Sequence, residues 1–229
     1  MSTVGASSSA EGPRPREVAL TRLAISAAHN IPGVEFASIT VYERDGSLRT
    51  VAASDALARK ADELQYELRE GPCYAAVTED RVVVANDVTA GMFPRYGPKA
   101  AALGVRAQAA MQLVSNGQRA GLNLYARRAQ TFDHATIQVA ELFANQAAAL
   151  LEYVEQVEQL SEAVHTRTDI GTAVGIIMER YQVDRDRAFA FLVRNSQDRN
   201  IKVRHLAQRV IDGTFESTTS EDRRSQQWP

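Results

Sequence analysis

Two patterns of hydrophobic and polar residues divide this chain. As far as about residue 130, short stretches of alternating apolar and polar positions are separated by turn-forming residues, which is typical of β-strands. From Asp133 onward, apolar residues recur every three or four positions, which is typical of α-helix. The chain is therefore predicted to form a sheet domain followed by a long helical region.

The first part predicts five strands with helices around and between them. The strands are expected at 36–42, 48–54, 81–85, 107–115 and 119–127, and the helices at 17–29, 55–68, 73–80 and 93–103. Asp45-Gly46 and Asn116-Gly117 are typical of tight hairpin turns, whereas Gly71-Pro72 breaks the chain. Strands joined by hairpins pair antiparallel, so the predicted fold class is α+β, an antiparallel sheet with flanking helices.

A seven-residue repeat follows in the helical region. Its apolar positions are Phe143, Leu150, Val157 and Val164, with Tyr153 and Leu160 three residues beyond Leu150 and Val157. Such a repeat predicts a coiled-coil seam on a long connecting helix, and hence a parallel homodimer. The alternative is that the N-terminal half of this helix packs on its own sheet.

The last helical stretch, residues 170–211, predicts three short amphipathic helices. Asp184 and Asn200 are expected to cap the second and third of them. The inward face of the second is expected to hold Ala188, Phe189, Leu192 and Val193. Gly171 and Gly175 lie one turn apart in the first, and since glycine costs up to about 1 kcal/mol in a helix relative to alanine, they indicate close packing or binding.

Composition and charge narrow the class of protein. The net charge of −2 is uneven: residues 17–160 hold 13 basic and 17 acidic residues (13 − 17 = −4), and residues 161–213 hold 9 and 7 (9 − 7 = +2). Only residues 161–213, which carry the net positive charge, are suited to bind a polyanion. The single cysteine excludes an internal disulfide, and neither a membrane span nor a secretory leader is predicted, so a cytoplasmic protein is expected. The polar ends, 1–15 and 214–229 with Trp228, are predicted to be disordered.

The C-terminal segment resembles a known family. TAVGIIMERY, followed by DRDRAFAFLVRNSQDRNIKVRHLA, is similar to the ANTAR domain, an RNA-binding antitermination module of bacterial regulators. The matching residues are Ala173, Gly175, Met178, Arg180, Ala188, Phe189, Leu192, Ser196, Asn200, Lys202, Leu206 and Ala207. Many members carry lysine where this chain has Val174.

The preceding domain resembles a GAF domain through its strand order and the stretch REGPCYAAV, which is similar to the GEGPC segment of actinobacterial GAF regulators. The predicted domains are a GAF-like sensor at 16–150, a helical or coiled-coil linker at 151–164 and an ANTAR-like domain at 165–213. The joint resemblance implies a dimeric antiterminator that binds paired hairpins in a nascent transcript.

The RNA-binding residues are predicted from the polar positions left outside the apolar stripes, together with Gly175, which belongs to the residues that match the ANTAR domain. They are Gly175, Arg180, Arg194, Arg199, Asn200, Lys202, Arg204, His205 and Arg209. Arginine and lysine are expected on phosphates, and Asn200 with one arginine on base edges. The alternative is a solvated surface partly neutralised by neighbouring aspartates. Since Phe189 is expected in the core, stacking on aromatic rings should contribute little.

The signal that the sensor detects is left open. Cys73 follows Gly71-Pro72 at a helix start, where backbone N–H groups could lower its pKa and make the thiol reactive; the alternative is a small buried hydrophobic residue. Tyr74 replaces the histidine usual in bilin-linked phytochromes, and the NKFDE signature of cyclic-nucleotide GAF domains is missing. A small-molecule ligand is expected, its identity unknown.

Other classes of function remain as alternatives. The four histidines lack metal-ligand spacing and no nucleotide-binding or hydrolase motif is present, so neither a metal site nor an enzyme is predicted. The second and third helices could form a DNA-binding helix-turn-helix, or the helical region could serve only as a dimeric sensor or scaffold that binds no nucleic acid.

Overall fold

The computed structural model describes residues 15–79, 82–115 and 118–215. The chain divides into two compact units, residues 1–155 and 156–229. We call them the sheet unit and the helical unit. Trp228, most of both predicted disordered ends and the Asn116-Gly117 turn lie outside the described residues.

The sheet unit contains a five-stranded antiparallel sheet in the order β2-β1-β5-β4-β3. Its strands are β1 Phe36–Tyr42, β2 Leu48–Ala53, β3 Val82–Ala85, β4 Ala107–Ser115 and β5 Gln118–Ala126. β1 and β5 lie at the centre, where Ile39 pairs with Leu122. The predicted α+β class is confirmed. Arg81, where the third strand was expected to begin, lies outside the described residues.

Seven helices complete the described part of the chain. They are α1 Pro15–Asn30, α2 Ala56–Leu68, α3 Pro72–Thr78, α4 Tyr96–Ala102, α5 His134–Tyr181, α6 Arg185–Asp198 and α7 Val203–Ile211. Asp55 caps α2 by accepting a hydrogen bond from the backbone N–H of Leu57 at 2.7 Å. Among these helices, none combines the length and apolar composition that crossing a membrane requires.

The sheet is covered on both faces. On one face, α1 and the first part of α5 bury an apolar core that includes Leu20, Ile39, Leu122 and Leu151. On the other face, α2, α3 and α4 form smaller apolar clusters around Tyr96, Tyr125 and Cys73. The second face also carries polar strand residues, which the helices bury.

The helix predicted at 170–181 is not a separate element. It is the last part of α5, which runs without interruption from His134 to Tyr181. No proline or turn dipeptide occurs within this range, and the two glycines lower helix propensity without ending the helix. Phe143 and Leu150 are half-buried against the core of the sheet unit, as the alternative for the N-terminal half proposed.

The helical unit packs α6, α7 and the C-terminal part of α5 around one core. Its buried members include Ala173, Ile177, Leu192, Leu206 and Val210. Phe215 joins this core with 6% of its surface exposed, so ordered structure continues past residue 214, where the tail was predicted to begin. The predicted cap of α6 is confirmed: Asp184 accepts a hydrogen bond from the N–H of Arg187 at 2.9 Å.

The predicted cap of α7 is wrong. The residue before this helix is Lys202, which makes no capping side-chain hydrogen bond. Asn200 instead closes α6 with a left-handed backbone, φ 50°. Its N–H donates to Gln197 O, and the N–H of Ile201 donates to Ser196 O, which is the Schellman arrangement. Asparagine suits this position because, after glycine, it tolerates the left-handed region best.

The predicted burial of Phe189 is also wrong. Its side chain is 47% exposed. Phe191 takes the inward place, with ring centroids 5.5 Å from Tyr181 and 6.0 Å from Phe215. Two positions apart on a helix lie on nearly opposite sides, so only one of these phenylalanines can face the core.

Candidate nucleic-acid interface and the interior of the sheet unit

An exposed stripe of polar and basic side chains lies along α7. Lys202, His205 and Arg209 are exposed and spaced by three and four residues, which places them on one side of the helix. Within the described ranges, none of the three pairs with a carboxylate. Lys202 and Arg209 can therefore approach phosphates of a nucleic acid without first breaking a salt bridge, and the His205 imidazole between them can hydrogen-bond.

Two of the predicted contact residues already have partners inside the helical unit. The Nη1 atom of Arg204 lies 2.5 Å from Oε1 of Glu162. The guanidinium of Arg199 lies 5.1 Å from the ring centroid of Phe215, a cation–π distance, and the side chain is half-buried. Both residues therefore have structural roles in addition to any contact with a ligand.

The remaining predicted residues lie on three different elements. Gly175 and Arg180 are exposed on α5, Arg194 is exposed on α6, and Asn200 is exposed in the turn before α7. The turn that holds Asn200 is fixed by two backbone hydrogen bonds, so its amide side chain projects from a defined backbone position. A base contact by this amide stays a prediction.

A groove in the helical unit contains a residue that sequence reasoning placed elsewhere. Phe189 lines it together with Gly171, Val174 and Gly175 of α5. The helical pattern of the sequence could not place Phe189 in this groove, because that pattern assigned Phe189 to the core. The exposed ring adds a stacking surface that the sequence did not predict.

The covered polar face of the sheet unit converges on one buried carboxylate. Asp62 is 0% exposed, and its two oxygens accept hydrogen bonds from Thr50, Asn123 and Tyr125. Burial raises the pKa of Asp62 to about 6, although the hydrogen bonds from Tyr125 and other side chains oppose the rise. The sequence did not reveal this network, because the small polar residues on one side of β1, Ser38 and Thr40, are equally typical of an exposed strand face.

One chain of hydrogen bonds reaches this carboxylate through hydroxyl groups. Thr50 Oγ1 donates to Asp62 at 2.8 Å, so the Tyr66 hydroxyl, 2.8 Å from Thr50, must donate to it. Tyr66 then accepts from Thr40 at 2.7 Å, and Thr40 accepts from Asn123 at 3.0 Å. Every proton in this chain points toward Asp62. The Oδ1 atom of Asn123 is buried and has no hydrogen-bond partner within the described residues.

A second chain reaches the same carboxylate through amides. Tyr96 donates to Gln108 at 2.6 Å, Gln108 to Gln65 at 3.2 Å, Gln65 to the Tyr125 hydroxyl at 3.2 Å, and Tyr125 to Asp62. The Gln65 side chain fits because of Gly71, where a Cβ would lie 2.6 Å from it and where φ is 132°. The two chains make Asp62 the common acceptor of the buried polar groups.

Cys73 lies beside this network and is fully buried. Burial, and then the nearby Asp62 carboxylate, raise the pKa of the thiol to about 12. The helix start therefore does not produce a lowered pKa, and the hypothesis of a reactive sensor thiol is not supported. The alternative, a small buried hydrophobic residue, describes its surroundings.

The two units together define a class of protein: a sensor-type sheet domain followed by a helical regulatory domain. Comparison with protein families matches the GAF domain to residues 16–152 and the ANTAR domain to residues 158–211. The chain belongs to the GAF domain family and has the GAF-ANTAR architecture of signalling regulators. Both domains are regulatory rather than catalytic, and the ANTAR domain is an RNA-binding antitermination module.

Solved structures match the sheet unit in fold. The GAF domain region of a Geobacter sulfurreducens PCA protein gives a TM-score of 0.51 at 18% identity, covering 60% of this chain and 93% of that one. A photoproduct-state GAF domain from Synechocystis sp. PCC6803 gives 0.50 at 14% identity, covering 63% and 98%. A bacteriophytochrome from R. palustris gives 0.50 at 12% identity, covering 72% and 39%. A comparison with curated proteins found no match.

Proposed function

We propose that this protein is a signal-responsive transcription antiterminator of the actinobacterial GAF-ANTAR type. Its ANTAR domain binds hairpins in nascent transcripts, and its GAF domain regulates that binding in response to a small molecule. The protein is not an enzyme and acts in the cytoplasm, where transcripts are made. In this proposal the GAF-like sensor spans residues 16–150, the helical linker 151–164 and the ANTAR-like domain 165–213.

The observation that carries the proposal is the basic face of α7. Lys202, His205 and Arg209 are exposed on one side of the helix without carboxylate partners among the described residues. A hairpin combines a phosphate backbone with unpaired loop bases, so it offers both charge and exposed base edges. The amide of Asn200, in the turn just before α7, is suited to such an edge.

We further propose that the protein is a homodimer. Tyr153, Val157, Leu160 and Val164 are 64, 48, 68 and 57% exposed and continue the heptad repeat. With these residues at the a and d positions, the nearby glutamates 152, 155, 158 and 162 fall at b, c and f. A parallel partner would therefore bury the apolar side chains without bringing the glutamates together. Leu160→Glu should convert dimer to monomer in sedimentation equilibrium, and an unchanged dimer would contradict this seam.

RNA binding is tested by comparing a hairpin RNA pool, with a fixed stem and a randomised loop, with duplex DNA at matched salt. We expect the hairpins to bind more tightly, and Lys202→Ala/Arg209→Ala to weaken binding roughly tenfold while lowering the slope of log affinity against log salt by about 1.4. Lys60→Ala/Lys99→Ala, on exposed positions of the sheet unit, removes the same charge and is the matched control. Preference for duplex DNA would favour a DNA-binding regulator, and no binding to either would favour a scaffold.

A further inference from the structure

The groove around Phe189 has the size of a ligand site. It encloses about 660 Å³, within the roughly 300–1,000 Å³ typical of such sites. Ile170, Val174 and Met178 of α5 contribute apolar wall, and Phe189 of α6 contributes an aromatic ring that is 47% exposed. The groove continues along α5 toward Gln159, with Arg167, Ile170 and Phe189 shared between its two stretches. A flat apolar molecule could therefore lie against the ring.

Among the apolar side chains on the α5 side of the groove, two positions leave the helix backbone uncovered. They are Gly171 and Gly175, and a Cβ added to either would meet no heavy atom within 4 Å. Packing within the described chain does not require glycine at these positions, although glycine is the least favourable helix residue other than proline. Because glycine has no side chain, the backbone of a bound molecule can approach α5 closely at these two positions.

The charge of the groove suits an anionic partner. Arg167 and Arg185 line it and are exposed, and Asp186 is the carboxylate among the lining residues of this stretch. Two arginines against one aspartate leave a charge of +1 (2 − 1). In the adjoining stretch, Arg204 and Glu162 neutralise each other at 2.5 Å. The seam proposed above is apolar as far as Val164, whereas its next d position is Arg167, so a second copy would bring two arginines together there, which disfavours it as the occupant.

We propose that this groove receives one unpaired base from the loop of a hairpin RNA. The base stacks on Phe189, the sugar-phosphate backbone passes over Gly171 and Gly175, and Arg167 and Arg185 contact the flanking phosphates. Loop bases can leave the stack at low cost, and aromatic side chains bind them by their faces. The inference rests on the RNA-binding function proposed above and adds stacking to the charge and amide contacts predicted from the sequence.

The test uses hairpins enriched by the full-length protein from the pool with a randomised loop. Phe189→Ala should weaken binding of these hairpins roughly 5- to 150-fold, the range for loss of one stacked base. The salt slope should stay unchanged, because no charge is removed. Phe189→Trp should restore binding, and Phe189→Leu, which keeps apolar bulk without an aromatic face, should not. The fluorescence of a 2-aminopurine at the stacked loop position should change on binding to wild type and Phe189→Trp, but not with Phe189→Leu.

The outcomes separate this inference from the proposed function. If wild type selects hairpins and Phe189→Ala or Phe189→Leu binds them equally well, the groove is not a base site and the RNA-binding function stands. If wild type binds no hairpin, both fail. If Phe189→Ala changes the oligomeric state in sedimentation and leaves RNA affinity unchanged, the groove belongs to a self-interface and the inference is overturned. Melting curves of Phe189→Leu and Phe189→Trp confirm that folded proteins are compared.

Discussion

Asp62 in the sheet unit and Phe189 in the helical unit depart in opposite directions from the usual distribution of residues. Asp62 is a carboxylate that is 0% exposed, and Phe189 is an aromatic residue that is 47% exposed. Buried charge and exposed large apolar side chains are the informative exceptions in a folded protein. Asp62 is stabilised by converging internal hydrogen bonds, whereas Phe189 lines an open groove. The buried carboxylate therefore orders the interior of its own unit, whereas the exposed ring is available to an external partner.

The greatest change that we predict is in the alkylation rate of the thiol beside Asp62. Because burial raises the pKa of Cys73 to about 12, we expect its alkylation at neutral pH to be slower than that of an ordinary thiol by about three orders of magnitude. Cys73 is the single cysteine, so iodoacetamide labelling followed by mass spectrometry reports on it alone. Cys73→Ser/Lys60→Cys, with an exposed thiol, is the control. Rapid labelling of the folded wild type would mean that the interior is open to reagents.

The second effect is on the stability of the sheet unit. Asp62→Ala leaves the hydroxyls of Thr50 and Tyr125 and the amide of Asn123 without their common acceptor, so we expect a loss of about 3–5 kcal/mol in the free energy of unfolding. Asp62→Asn keeps the shape and one acceptor oxygen and should lose less. Urea unfolding measures both. Equal stability of wild type and Asp62→Ala would contradict the converging network.

The third effect is a pH dependence. The pKa of Asp62 is raised from 3.8 to about 6 in the folded protein, so the folded state holds this proton more tightly than the unfolded state does. Its contribution to stability is full below pH about 4 and is lost as pH rises to about 6, by on the order of 3 kcal/mol. The difference in unfolding free energy between wild type and Asp62→Asn should show this fall.

Other carboxyl groups do not affect this difference in unfolding free energy. The pKa values of Asp45, Asp87 and Asp133 are lowered by hydrogen bonds from residues two or three positions further on. Their contributions have the opposite sign, and they are equal in wild type and Asp62→Asn, so the subtraction removes them. A difference that does not vary between pH about 4 and about 6 would show that Asp62 is not buried as described.

The last and smallest change that we predict is in the stability of the helical unit. Gly175→Ala places a methyl group in open space, so we expect the free energy of unfolding to rise by up to about 1 kcal/mol while hairpin affinity falls. Ala190→Gly makes the opposite change, from alanine to glycine, at an exposed position of α6 and is the control for helix propensity. Higher stability with unchanged RNA affinity would mean that no partner approaches the bare backbone at Gly175.

The strands could be predicted because their signals are local. Alternation over 36–42 and the Asp45-Gly46 turn require only neighbouring residues, and the sheet follows from them. Alternation shows which residues share a face but not whether that face is covered. Ser38 and Thr40 have the pattern of an exposed polar face, yet both are 0% exposed because helices pack over them. The buried network therefore could not be derived from strand patterns.

The errors in the helical unit have a similar cause. Phe189 and Phe191 are equally suited to a core, and the choice depends on Tyr181 and Phe215, which come from other segments. Phe215 belonged to a polar stretch in the sequence and was not available as a packing partner. Asn200 is favoured both at helix starts and at left-handed helix ends, and the single sequence did not distinguish the two.

The position of Phe215 also determines the shortest independent fragment of the helical unit. Its ring packs edge-on against Phe191, and Arg199 lies over it. A fragment that ends at residue 213 would remove the Phe215 ring from Phe191 and Arg199, and its weakened RNA binding would be mistaken for a lost contact. Truncation studies of RNA recognition should therefore keep the chain to at least Phe215.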